Sequence, residues 1–152
     1  MAAKIPLHIR GLFGEEGIFL NFTIRGIPHA NIIPVNALVD TGSPWLSISP
    51  KDCRLLNIPQ NFLENAREFA SISFAGQKFR RLVAKEVKIH VLAENNTILE
   101  FAMPSISVLK PTKKSAETDL IPSVVGMDFM TKNGLALYCN PRKKEAYLIK
   151  EN

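Results

Sequence analysis

The sequence has 152 residues, a length that favours one domain covering residues 1–152. Hydrophobic residues make up 46% and charged residues 22%, which excludes a disordered chain and is typical of a globular protein with a core. The formal net charge is +5. The basic residues occur in short runs that acidic residues separate, so we expect solvated turns and no nucleic-acid partner.

Two absences bound where the protein acts. The N-terminal segment has no apolar stretch of signal-peptide length, and no later run is long enough to cross a bilayer. Cys53 and Cys139 are too few and too far apart for a disulfide framework or a metal site, so we expect free, largely buried thiols. We therefore expect a cytoplasmic protein that binds no membrane. His8, His29 and His90 are well separated, so we expect no metal and no cofactor.

Apolar and polar residues alternate along most of the chain, a pattern that predicts strands. The predicted strands cover residues 5–9, 18–24, 32–39, 45–48, 68–74, 78–83, 85–92, 98–103, 106–109, 135–139 and 145–149. Ser49 at a capping position and Pro50 at the first helical position predict a short helix that ends near residue 57. A helical turn is predicted at residues 128–132. We therefore predict an all-β, barrel-like domain.

The segment Asp40-Thr41-Gly42-Ser43 follows the apolar strand that ends at Val39. A carboxylate in this position points from a rigid element, and the glycine lets other groups approach it closely. The hydroxyl groups of Thr41 and Ser43 are able to donate hydrogen bonds to carboxylates or to the loop itself. All four residue types are also common in β-turns, so these residues alone leave a plain turn open.

The surrounding sequence resembles a known family. Asp40-Thr41-Gly42-Ser43, with Trp45-Leu-Ser-Ile-Ser behind it, resembles the catalytic loop of aspartic proteases. Residues 124–130, Val-Val-Gly-Met-Asp-Phe-Met, resemble the apolar-apolar-Gly segment and short helix near the C-terminus of retropepsins. The chain thus resembles retropepsin-like aspartic proteases of the small bacterial and archaeal type. The resemblance implies a closed all-β barrel and an aspartic endopeptidase.

The resemblance also implies a homodimer. Peptide hydrolysis by carboxylates uses two adjacent carboxyl groups that share one proton, and the chain has one Asp-Thr-Gly. Asp128 begins a predicted helix and lacks the Thr-Gly, so we interpret it as a helix N-terminal cap. A two-fold axis would place Asp40 beside Asp40 of a second copy.

Individual roles follow from the matching positions. Thr41 matches the residue whose hydroxyl links the two catalytic loops, and the backbone of Gly42 matches the group that contacts the carboxylate. The hairpin around Ala75-Gly76-Gln77 matches the flap over the substrate, with Gly76 at its tip and Phe74 or Phe79 covering the site. A simple surface hairpin remains the alternative for this segment.

Two further questions stay open in the sequence. We expect Trp45 in the core, with a position lining a subsite as the alternative. The expected partner is a peptide or an unfolded protein, which the enzyme would cleave. The alternative function is a catalytically silent dimer of the same fold that binds a peptide or protein, because a fold does not fix a function.

Overall fold

A computed structural model describes residues 2–74, 76–113 and 115–151. The described chain is mostly β. The strands are β1 (Ala3–Pro6), β2 (His8–Leu12), β3 (Glu15–Arg25), β4 (Val35–Val39), β5 (Ser47–Ile48), β6 (Glu64–Asn65), β7 (Ser71–Phe74), β8 (Gln77–Leu92), β9 (Ile98–Pro111), β10 (Val124–Val125), β11 (Leu135–Asn140) and β12 (Glu145–Lys150). The helices are α1 (Pro50–Leu56) and α2 (Met127–Asn133), and short 3-10 turns cover Gln60–Phe62, Ala116–Leu120 and Pro141–Lys143.

The strands form two sheets. A three-stranded sheet has the order β1-β12-β11, and a nine-stranded sheet contains the path β2-β3-β4-β10-β5-β9-β8-β6, with β7 paired to β8. Strand β3 also pairs with β8. The large sheet therefore curves until β8, near one end of the strand order, meets β3, near the other. Most pairs are antiparallel, whereas β10 runs parallel to β4 and β5 runs parallel to β9. The mostly β character agrees with the prediction.

The longest strands of the large sheet, β8 and β9, form one hairpin. In the second half of β8, Val87, Ile89 and Val91 are buried, whereas Glu86 and Lys88 are exposed and His90 is half-buried, as the alternation predicted. The sequence predicted two separate strands in each arm, but each arm is continuous. The interruption is confined to Glu86, which has a positive φ of 54° and lies opposite Pro104 in the register. Proline has no N–H to donate, so pairing is lost there only locally.

The structure corrects several other predicted elements. The predicted strands over residues 32–39 and 45–48 are shortened to β4 and β5. Residues 5–9 are not one strand, because Leu7 separates β1 in the small sheet from β2 in the large sheet. The predicted strand over residues 68–74 is reduced to β7, since Phe69 has a φ of 51°. The predicted helical turn at residues 128–132 is the seven-residue helix α2.

Helix α1 forms as predicted. The Ser49 hydroxyl accepts a hydrogen bond from the Asp52 N–H at 3.2 Å, and Asn57 ends the helix in the left-handed region at φ 52°. The helix buries Pro50 and Leu56. No helix in the described segments is both long and apolar enough to span a membrane.

Candidate active site

The loop that carries Asp40 is fixed by the strand beside it. Strand β10 runs parallel to β4 with Val125 opposite Val39, and the Asp40 N–H donates to the Val125 carbonyl oxygen at 3.0 Å. Asp40 therefore lies directly after the end of β4, and its backbone position is fixed by the pairing with β10.

Within the loop, the backbone folds around the Asp40 carboxylate. The Gly42 N–H donates to Asp40 Oδ1 at 2.8 Å, which is the backbone contact that the family resemblance implied. The Ser43 N–H donates to the Asp40 carbonyl oxygen at 3.1 Å, closing the turn. Asp40 is half-buried and Thr41 is exposed in the single chain. The carboxylate is thus held in place while the Thr41 side chain faces outward.

Gly126 lets β10 and α2 approach the loop closely. A Cβ atom at this position would lie 2.5 Å from the Trp45 carbonyl oxygen and 2.6 Å from that of Ser43. Side-chain carbon atoms do not approach backbone at such distances, so any other residue would displace the loop. Glycine at position 126 therefore allows the backbone of this segment to lie against the loop.

Asp128 is a second support of the loop. Its Oδ1 atom accepts hydrogen bonds from the Leu46 N–H at 2.7 Å and from the Phe129 N–H at 2.6 Å. Partial burial raises the pKa of the Asp128 carboxyl group from its ordinary value of 3.8, and these two hydrogen bonds oppose that rise. The capping position itself belongs to Gly126, so the predicted N-cap role is corrected. The bond to Leu46, 82 residues away, has no signal in the sequence.

Asp40 lies in the wall of a cleft of about 220 Å³. The Asp40 loop, strand β7 and the end of β9 enclose this cleft. Its lining includes Asp40, Gly42, Trp45, Ile72, Phe74, Leu109 and Val124. An apolar cleft of this kind suits the apolar side chains of a ligand and holds them next to the Asp40 carboxylate.

The sequence favours a core position for Trp45, but the structure does not place Trp45 in the core. It is half-buried and lines the cleft. The residue after it, Leu46, is fully buried and takes the core position. Both residues lie in the segment before β5, because the predicted strand over residues 45–48 is shortened to Ser47–Ile48.

The predicted hairpin is formed by β7 and β8. Phe74 pairs with Gln77 and lines the cleft. Gly76 is exposed, with a positive φ of 77°, a region that favours glycine. Ala75, the other residue of the predicted turn, lies outside the described residues.

Phe79 has a different place from the one expected. It is fully buried in a small cluster with Leu109 and Ile121, against which Ile72 and Phe74 pack. Phe79 pairs with Pro111 of β9 as well as with Ile72, so it lies at the covered base of the hairpin. Phe79 anchors the hairpin, and Phe74 is the hairpin aromatic that reaches the cleft.

The other chemical groups near the site are few. In the parts of the chain that the structure describes, no group of three or more His, Cys, Asp or Glu side chains is placed to bind a metal ion. Cys53 and Cys139 are free and half-buried, and burial raises the pKa of the Cys53 thiol. Neither thiol lines the cleft that contains Asp40.

No protein-family model matches the sequence, and no curated protein matches it either. Among solved structures, the chain is similar to a retropepsin-like aspartic protease from Rickettsia conorii. The alignment covers 98% of this chain and 91% of that one, with a TM-score of 0.55 and 14% sequence identity. At this identity the similarity concerns the fold. The chain therefore has a mostly β fold similar to that of a retropepsin-like aspartic protease.

Proposed function

We propose that the protein is an aspartic endopeptidase that acts as a homodimer, with the two Asp40 carboxyl groups paired across a two-fold axis. The observation that carries the proposal is the Asp40 carboxylate, held by the Gly42 N–H at 2.8 Å in the wall of an apolar cleft. The similarity in fold to a retropepsin-like aspartic protease supports the same reaction class.

The chemistry needs one proton shared by two carboxyl groups. Like charges at short distance do not both ionise readily, so one Asp40 is a carboxylate and the other a carboxylic acid. The carboxylate takes a proton from water as the oxygen attacks the peptide carbonyl carbon. The acid form protonates the carbonyl oxygen. Collapse of the tetrahedral intermediate then breaks the C–N bond. The amine nitrogen takes the proton that the first Asp40 accepted from water, and the hydroxyl group formed from the carbonyl oxygen returns its proton to the second Asp40.

The second carboxyl group has to come from another copy of the chain. Asp128 is the other aspartate that supports the Asp40 loop, but its Oδ1 atom already accepts hydrogen bonds from two backbone N–H groups. The exposed Thr41 side chain is free to contact the second catalytic loop in a symmetric pair. These features favour a dimer in which the two Asp40 loops meet.

The hairpin supplies the cover over the substrate. We assign Phe74 and Gly76 to this role, because Phe74 lines the cleft and Gly76 forms the exposed end of the hairpin. Phe79 acts from beneath by anchoring the hairpin in its apolar cluster. The substrate would be an extended or unfolded polypeptide, which fits between the hairpin and Asp40.

Incubation of the purified protein with denatured casein tests the proposal. The wild type should generate peptides, identified by mass spectrometry, at internal bonds. Asp40→Asn keeps nearly the same side-chain volume but removes the ionisable group, so cleavage should fall by at least about 10³-fold. Circular dichroism and sedimentation should show an unchanged fold. Equal cleavage by the two proteins would contradict the proposal, and binding of casein fragments without cleavage would indicate a peptide-binding protein.

A further inference from the structure

Arg81 is a buried cation next to the candidate active site. Only 9% of its surface is exposed, and its guanidinium carbon lies 3.9 Å from the centre of the Trp45 ring. Arginine is rarely buried to this extent unless its donors are satisfied. No ion pair within residues 2–74, 76–113 and 115–151 includes Arg81, so other contacts hold it.

The side chain of Arg81 joins two segments that lie beside the cleft. Its Nε atom donates to Ser107 Oγ at 2.8 Å, and Nη1 donates to the Glu68 carbonyl oxygen at 2.9 Å. The Ser107 N–H in turn donates to the Leu46 carbonyl oxygen at 2.9 Å, next to Trp45. The Arg81 N–H also donates to the Ala70 carbonyl oxygen at 2.8 Å. Arg81 thus connects the segment before β7, which contains Glu68 and Ala70, to Ser107 of β9.

Trp45 is the side chain that this arrangement places. It lines the cleft together with Asp40, and the guanidinium of Arg81 covers its ring. The ring also contacts exposed Phe69, with the ring centres 5.8 Å apart. Phe69 belongs to the segment that Arg81 holds through Glu68 and Ala70. The cleft wall at Trp45 and the base of the hairpin therefore share one anchor.

We propose that Trp45 determines substrate specificity by contacting a substrate side chain, and that Arg81 is the positioning residue that holds Trp45 in the cleft wall. This inference rests on the proposed function, since it concerns the same cleft. Arg81 acts through Trp45 and does not touch the reacting atoms. Its loss should therefore weaken substrate binding more than it slows the chemical step.

The position of Trp45 is directly measurable because it is the only tryptophan in the chain. Arg81→Met removes both the charge and the donors, so Trp45 fluorescence should shift to the red and become more accessible to acrylamide. Arg81→Lys keeps the charge but not the planar group that stacks on the ring, so an intermediate result is expected. Arg80→Met is the matched control, because Arg80 is an exposed neighbour whose Nη2 bonds Asn65 at 3.1 Å. It should leave the fluorescence unchanged.

Kinetics with a fluorogenic peptide, chosen from a cleavage site mapped in casein, test the effect on specificity. Arg81→Met and Trp45→Leu should each raise KM about tenfold with kcat within about twofold of the wild type. The double variant should be no worse than Trp45→Leu, because the two residues act as one unit. Additive losses, or an equal fall in kcat for Arg81→Met, would overturn the positioning role.

The two proposals fail separately. If the wild type binds a labelled casein peptide without cleaving it, the proposed function is wrong, and Kd from the fluorescence anisotropy of that peptide replaces KM in the same comparison, because Trp45→Leu has no tryptophan to report binding. If the wild type cleaves and Arg81→Met leaves both Trp45 fluorescence and KM unchanged, this inference alone is wrong. If Arg81→Met does not fold, Trp45→Leu with an unaltered KM also overturns it.

Discussion

Gly126 and Asp128 fix the Asp40 loop by different means. Gly126 leaves out a side chain where the carbonyl oxygen of Trp45 lies 2.5 Å from the Cβ position, and Asp128 supplies an acceptor for the Leu46 N–H. The segment containing both residues was recognisable in the sequence, as was Asp40-Thr41-Gly42. The bond to Leu46 was not predictable, because it depends on how far α2 inserts behind the loop.

Asp128 variants separate the hydrogen bonds from the charge. Asp128→Leu leaves the N–H groups of Leu46 and Phe129 without their acceptor, so the free energy of unfolding should fall by about 1–3 kcal/mol and cleavage should fall with it. Asp128→Asn retains an Oδ1 acceptor and should keep most of both. Urea unfolding and casein cleavage of the two variants check this prediction. Equal losses in both would show that the carboxylate charge is essential.

The raised pKa of Asp128 also predicts a pH dependence. Because burial raises the folded-state pKa above 3.8, the folded protein holds more protons than the unfolded chain between 3.8 and that higher value. The Asp128 contribution to stability is therefore present at low pH and lost as pH rises through this window. The free energy of unfolding of the wild type minus that of Asp128→Asn should fall as pH rises from about 3 to 7. A rising difference would contradict the assignment.

Among the elements, the hairpin of β7 and β8 connects the fold to the site. Alternation predicted its two arms, but not which aromatic residue reaches the cleft. Phe74 and Phe79 lie on the same face of the hairpin, and β9 covers only the base, where Phe79 pairs with Pro111. That distinction depends on how far β9 extends along β8. The break at Leu7 was equally hidden, because both halves of residues 5–9 have the same strand pattern.

Gly76 tests whether the hairpin moves during turnover. A Cβ atom there would meet nothing within 4 Å, but φ is 77°, so the cost of substitution is backbone strain alone. Gly76→Val should lower kcat/KM about tenfold with little change in melting temperature, because strain at an exposed tip alters the hairpin and spares the core. Asn tolerates positive φ, so Gly76→Asn is the matched control. Parallel losses of activity and melting temperature would indicate a structural turn.

At the scale of the whole molecule, the proposed activity needs a second copy of the chain. The alternation of apolar and polar residues along the chain predicted the mostly β fold, and the likeness to a solved retropepsin-like aspartic protease agrees with it. A second Asp40 is absent from any one chain. The dimer thus remains a proposal whose physical reason is the chemistry of a shared proton.

Subunit mixing tests the central claim, that activity needs Asp40 from two copies. Wild type at fixed concentration is mixed with increasing Asp40→Asn, allowed to exchange subunits, and assayed with casein in excess. Sedimentation should show dimers throughout. If both Asp40 residues are required, mixed dimers are inactive, and activity should fall to about one half at equal amounts and about one tenth at a ninefold excess of the variant. Activity that stays constant at every ratio would show that each chain works alone and would contradict the account.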